Sequence, residues 1–331
     1  MSGKLTNLKR GVATSADLAD GPFGERFTGN KWYFKPYGGN DNNEGTRAAP
    51  FATLNAAYNA ATDGNNDVIY YIAGASDTDY NFSTAFTWSK SYTHLVGVCA
   101  PVLVGPRARF FQTSTATGLT SMFTVSGTGN SFWNIELFQG VADATSLYAA
   151  TVSGGRNYFN RCQISGMGDA TQGGTAGARS LVVSGGENMF EDCYIGLDTV
   201  ARSAGNVELE ISGADAPRNV FRSCILRSYA TSADHRLVKF GANAFNGGFL
   251  MFDDCLFHND TAAIKTSALA LDYAMDSHAA PNGNVILKNC MFVGCSAIAD
   301  DYTAFQALGI CTDDDIADYS SAIGYAVAPT A

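Results

Sequence analysis

Four stretches of this chain alternate apolar and polar residues and then stop at Ser-Gly: Phe123-Thr-Val125-Ser-Gly127, Ala150-Thr-Val152-Ser-Gly154, Leu181-Val-Val183-Ser-Gly185 and Leu209-Glu-Ile211-Ser-Gly213. Val238-Lys-Phe240-Gly241 is a looser fifth copy. A period of two that ends on a turn signal predicts a short strand. Each strand is followed by a second frame: Asn157-Tyr-Phe159-Asn-Arg-Cys162-Gln-Ile164, then Asn188-Met-Phe190-Glu-Asp-Cys193-Tyr-Ile195, then Asn219-Val-Phe221-Arg-Ser-Cys224-Ile-Leu226. Phe252-Asp-Asp-Cys255-Leu-Phe257 and Leu287-Lys-Asn-Cys290-Met-Phe292 keep its apolar positions. Cys162, Cys193, Cys224 and Cys255 stand 31 residues apart and Cys290 follows after 35, a period that marks one unit stacked on copies of itself.

Phe and Cys lie three positions apart, so a plain strand would aim them at opposite faces. A bend at the two polar residues between them turns both inward. Strand, turn, bent strand and a long variable return make one coil of a parallel β-helix, with coils about 4.8 Å apart. Stacking then sets like on like. Phe159, Phe190, Phe221 and Phe252 form an inner column beside Cys162, Cys193, Cys224, Cys255 and Cys290. Asn157, Asn188 and Asn219 form a side-chain amide ladder at the turn. The first bend position tests this register independently: it reads Asn160, Glu191, Arg222, Asp253, Lys288, and after the asparagine the sign alternates from coil to coil. Opposite charges become neighbours, where like charges would repel.

Upstream, Trp32 to Tyr37 reads as a first strand, Pro50 to Ala61 as a short helix with proline in its first turn, and Asp67 to Ile72 and His94 to Val104 as strands of the first coils. A helix there covers core and strand edges that the end of a stack would otherwise expose. Thr312-Asp-Asp-Asp reads as the start of a second short helix at the far end.

Composition agrees with this reading. Gly 35 against Pro 8, with 12% aromatic and 16% charged residues, suits a turn-rich β protein. Five of the eight cysteines fall in register at coil spacing, so they read as stacked free thiols in a reducing compartment and not as a disulfide framework. There is no C-x-x-C pair, and His94, His235, His258 and His278 follow no ligand spacing, so neither metal nor cofactor is expected. A net charge of −10 argues against nucleic acid as the main partner. No apolar run reaches the roughly 18 residues of a membrane span, and Met1 to Asp20 lacks the apolar core of a signal peptide.

The order of an aromatic strand, a Gly39-to-Gly45 turn of Gly-x-Asp-x-Asn-x-Gly type, Pro50-Phe-Ala-Thr-Leu opening an alanine-rich helix, and a strand ending in Ala-Gly resembles the entry into right-handed, pectate-lyase-like β-helices. With the Asn-x-Phe-x-x-Cys coils, the resemblance covers about residues 31 to 300. It implies an all-β, single-stranded right-handed parallel β-helix over 31–300, with a capping helix near its N-terminus, an N-terminal arm over 1–30 and a C-terminal cap or interface segment over 301–331. The fold serves polysaccharide lyases and hydrolases, and also tailspikes and head-decoration proteins of tailed bacteriophages, which are typically homotrimers.

Polysaccharide cleavage on such a fold needs acids on an exposed face. Glu191, Asp192, Asp253 and Asp254 are the candidates, but the alternating charge column accounts for them without chemistry. Asp41, Asn43 and Gly45 echo a calcium loop only in part and read as a turn. Asp313, Asp314 and Asp315 read as helix-start carboxylates. The outward aromatics Tyr158 and Tyr194 suit either sugar stacking or a subunit interface. The expected function is therefore that of a non-enzymatic bacteriophage protein on the virion surface, decorating or stabilising the head after assembly in the host cytoplasm. Its arm, with Lys4, Lys9 and Arg10, would order against a neighbour such as the major capsid protein. A tailspike or fibre that binds or cleaves host glycan is the alternative, and a polysaccharide lyase or hydrolase the next.

Overall fold

The computed structural model describes residues 27–312, apart from 75–79, 242–243, 246, 278–282, 302–303 and 310. Lys4, Lys9, Arg10, His278 and Asp313 to Asp315 lie outside the described residues. Three sheets wind as a right-handed solenoid, all pairings parallel. Sheet A has ten strands from Lys31–Phe34 to Phe305–Leu308, sheet B nine and sheet C seven. One coil runs through Arg179–Val183 in sheet C, Met189–Glu191 in sheet A and Tyr194–Arg202 in sheet B.

The register is the one read from the repeat. Phe159 pairs with Phe190, Phe190 with Phe221 and Phe221 with Phe252. Their rings stack at centroid distances of 4.7, 4.6 and 5.1 Å. Phe132 adds a further ring at 4.7 Å, in a coil whose Asn130, Phe132 and Ile135 repeat the frame with isoleucine at the cysteine position. Each thiol of the Cys162 to Cys290 column donates to the carbonyl of the phenylalanine one coil earlier, as Cys193 does to Phe159 at 3.5 Å. Cys99, Cys162, Cys193, Cys224, Cys255, Cys290 and Cys295 are free. Burial pushes the Cys162 and Cys224 thiols up, so they stay protonated.

The bend that turns Phe and Cys inward is a single left-handed residue. Arg161, Asp192, Ser223, Asp254 and Asn289 all have φ between 50° and 59°. This region is uncommon outside glycine and most tolerable for Asn and Asp. The strain is offset by stacking: the amide of Asp192 donates to the carbonyl of Arg222 at 3.0 Å, and that of Ser223 to Asp253 at 2.8 Å. At the other turn, Gly154 and Gly185 allow coils to meet. A Cβ there would lie 2.0 and 2.1 Å from a carbonyl oxygen of the preceding coil.

The asparagine ladder differs from the expected amide-on-amide stack. Each side-chain oxygen accepts from the backbone N–H of the asparagine one coil earlier, Asn157 from Asn130, Asn188 from Asn157 and Asn219 from Asn188, at 2.8 to 2.9 Å. Each side-chain nitrogen donates to a carbonyl of the turn, such as Gly154 for Asn188 at 3.1 Å. The side chains therefore pair main-chain groups that the turn would leave buried and unsatisfied. The next coil places Leu250 opposite Asn219, and the ladder ends there.

At the entry, the helix α1 spans Leu54–Ala60 with Thr53 as its N-cap. Asp41 accepts from the amides of Ala52 and Thr53, both at 2.8 Å, and Asn43 donates to the carbonyl of Pro50. The glycine-rich turn thus ties down the helix start. Two strands are shorter than expected. The first stops at Phe34, before Pro36, and the strand from Thr93 stops at Val98. Pro101 has no N–H to offer a ladder, and Val102, Leu103 and Val104 lie exposed in a loop.

Candidate functional site

The four carboxylates singled out in the sequence lie on the bend edge of sheet A, in two columns. Glu191 and Asp253 project outward, with Arg222 between them by register. Arg222 is 3.7 Å from Glu191 and 3.4 Å from Asp253, and Lys288 is 2.9 Å from Asp253. Tyr158 donates its phenol proton to Glu191. Asp192 and Asp254 occupy the left-handed bend, Asp192 at 3.8 Å from Arg161 and Asp254 at 3.5 Å from the Ser223 hydroxyl. The Lys288 ammonium, with Arg222 behind it, holds the Asp253 carboxyl below its ordinary range. A general acid needs the opposite shift, so Asp253 is placed as an ionised partner of its neighbours. Tyr194 is buried against sheet B and presents no ring face to a sugar.

Sheet C carries a second outward column, which the sequence reading passed over. Thr124, Thr151, Val182, Glu210, Lys239 and Asp276 follow one another by register. Arg179 approaches Glu210 at 2.6 Å, Lys239 approaches Asp276 at 3.5 Å, and Arg236 lies over the Tyr273 ring at 5.2 Å. Glu210 and Lys239 are the polar residues inside two of the strand copies, but as single letters between apolar residues they signalled only an exposed face. At the turn between sheets C and A, Glu187 bridges Arg156 at 2.5 Å and Arg218 at 2.7 Å beside a shallow recess of about 510 Å³.

Two more polar clusters lie inside or under the return loops. Arg202 and Glu208 form a fully buried pair at 2.7 Å. Ser180 donates to Glu208, Arg202 also donates to the carbonyls of Met167 and Gly166, and His235 bonds Asn206 at 2.7 Å. Burial pushes the Glu208 carboxyl up and the His235 imidazole down. Arg227 joins Asp198 at 2.7 Å and Asp260 at 2.8 Å, and Lys265 completes that group at 2.9 Å from Asp260. His94 is buried with Nδ1 accepting from the Ser131 amide and Nε2 on Asn66, and burial lowers it to about 4. Among the described residues, no three His, Cys, Asp or Glu side chains gather as a metal site.

The coil geometry has solved counterparts. A pectate lyase, Pel9A, aligns over 86% of this chain and 76% of its own, with TM-score 0.56 and 15% identity. The pectin methylesterase PemA from Erwinia chrysanthemi aligns over 88% and 91%, with TM-score 0.57 and 16% identity. The fold is that of the pectate-lyase-like β-solenoids. A rhamnogalacturonan lyase aligns over 85% and 74%, with TM-score 0.53 and 15% identity. No protein-family model and no curated protein matches the chain in sequence. At such identities the likeness carries the solenoid and leaves activity to the residues of the site.

Proposed function

We propose that this pectate-lyase-like solenoid is a non-enzymatic structural protein of a bacteriophage particle surface, of the head-decorating kind. The observation that carries the non-catalytic reading is the pairing of outward carboxylates. Glu191, Asp253, Glu187, Glu210 and Asp276 each stand within 4 Å of an arginine or lysine from a neighbouring strand or turn. Such columns hold coils in register, whereas a glycosidase needs one acid kept protonated. Buried free thiols support assembly in a reducing cytoplasm. The particle surface is part of the proposal itself: the N-terminal entry resembles a fold that phage virion proteins share with polysaccharide enzymes. Immunogold labelling of purified particles of the phage that carries the chain is expected to decorate heads. Label on tail tips alone, or protein found only in the particle-free medium, overturns this reading.

A second reading is a polysaccharide-active enzyme. It is favoured by the neighbours in fold, which are a pectate lyase, pectin methylesterases and a rhamnogalacturonan lyase.

A further inference from the structure

The outer face of sheet A carries two parallel columns with different chemistry. One is apolar: Met189, Val220, Met251 and Ile286 are aligned by register and half-buried on a face open to solvent. The other is charged, and from Glu191 through Arg222 and Asp253 to Lys288 it runs minus, plus, minus, plus. The cations are the more exposed members, with 45% and 44% of the Arg222 and Lys288 side chains accessible.

Reversing the direction of that column gives plus, minus, plus, minus, which is its own complement. We infer that this face is a homodimer interface, in which a second copy of the chain packs antiparallel about a two-fold axis that runs along the strands between Arg222 and Asp253. The symmetry settles which surfaces meet. A two-fold parallel to the strands keeps each column on its own counterpart and reverses its order. Apolar then meets apolar, Met189 against Ile286 and Val220 against Met251 of the second copy. Charge meets opposite charge, Glu191 against Lys288 and Arg222 against Asp253.

The flanking columns agree. Reversal sets Arg218 opposite Phe249, a cation on an aromatic ring, and Glu187 opposite Asn284. In the bend column it sets Asp254 opposite Ser223 and Asp192 opposite Asn289, so no like charges meet. The other face-to-face two-fold, along the solenoid axis midway between the two columns, would set the apolar column on the charged one, and placed over the charged column it would oppose like charges. A three-fold along the solenoid brings equal coils to equal height, so a column meeting itself would oppose like charges. The proposal rests on no part of the functional reading above.

Sedimentation velocity on the full chain tests it. Wild type is expected to dimerise, and to lose affinity as salt rises. Glu191→Lys and Lys288→Glu should each weaken self-association at least tenfold, because each sets two like charges in contact at both ends of the interface. Mixing the two variants one to one should restore the dimer. The lysine introduced at position 191 of one chain then meets the glutamate introduced at position 288 of the other, and the native Lys288 meets the native Glu191. Hydrogen exchange on the wild-type chain needs no variant: protection at 189–191, 220–222 and 249–253 should rise with concentration while sheet C stays unchanged. A wild-type monomer at the highest concentrations, a trimer, or a mixture that stays monomeric overturns the proposal.

Discussion

Glu208→Ala is expected to destabilise the protein by about 3 to 5 kcal/mol, the cost typical of leaving one member of a buried ion pair without its partner. Arg202 and Glu208 are both fully buried, and Glu208 takes the Arg202 guanidinium on one oxygen and the Ser180 hydroxyl on the other. Deleting the carboxylate strands a guanidinium in the core. Replacing both residues, as in Arg202→Met with Glu208→Leu, removes the unpaired charge and should recover a large part of the loss. Recovery stays incomplete because the carbonyls of Met167 and Gly166 lose their donor. Glu191→Ala, from the exposed column, should cost no more than about 1 kcal/mol. Urea unfolding followed by circular dichroism measures all of these variants against wild type. Equal small losses for Glu208→Ala and Glu191→Ala would show that the buried pair is not intact.

Phe221→Ala should cost a similar amount, about 3 to 5 kcal/mol, by a different route. Phe221 is fully buried, with Phe190 stacked 4.6 Å on one side and Phe252 5.1 Å on the other. Truncation removes a ring and leaves a cavity between two others, which strand pairing on both sides prevents from collapsing. Phe221→Leu should cost roughly half as much, because leucine keeps most of the volume. The column itself accepts leucine: Leu287 follows Phe252 by register and is fully buried. The loss should be local as well, since a stacked array is held by contacts between neighbouring coils. Hydrogen exchange is then expected to speed up most in the coils containing Phe190, Phe221 and Phe252.

Much of this fold was legible because stacking repeats its requirements at fixed spacing. The Phe, Cys and Asn positions recur because each coil poses the same packing problem at the same place. The alternation from Glu191 to Lys288 recurs because neighbouring coils bring those side chains within 4 Å. The second frame of one coil escaped notice. Asn130, Phe132 and Ile135 carry the frame, but isoleucine fills the space of the thiol and the interval to the next coil is shorter.

The buried cluster was hidden for a structural reason. Strand periodicity places Leu209 inward and would turn Glu208 outward, yet both are buried. Pairing skips from Arg179–Val207 to Leu181–Leu209, and the omitted Ser180 and Glu208 turn into the core. Arg202 arrives from the end of a sheet B strand and His235 from a return loop, contacts that no local pattern encodes. Side-chain amides at the turn were likewise foreseen at the right residues with the wrong partners, because the letters reveal the column and not which backbone groups need a bond.

On the proposed reading, outward carboxylates on this solenoid hold coils together and perform no chemistry. Incubation with pectic and bacterial surface polysaccharides, followed by chain length, reducing ends and released methanol, tests it most directly. No change in any of the three is expected. Cleavage or demethylation by wild type that is abolished in Glu210→Gln, Asp276→Asn or Asp254→Ala, each still folded, would contradict it.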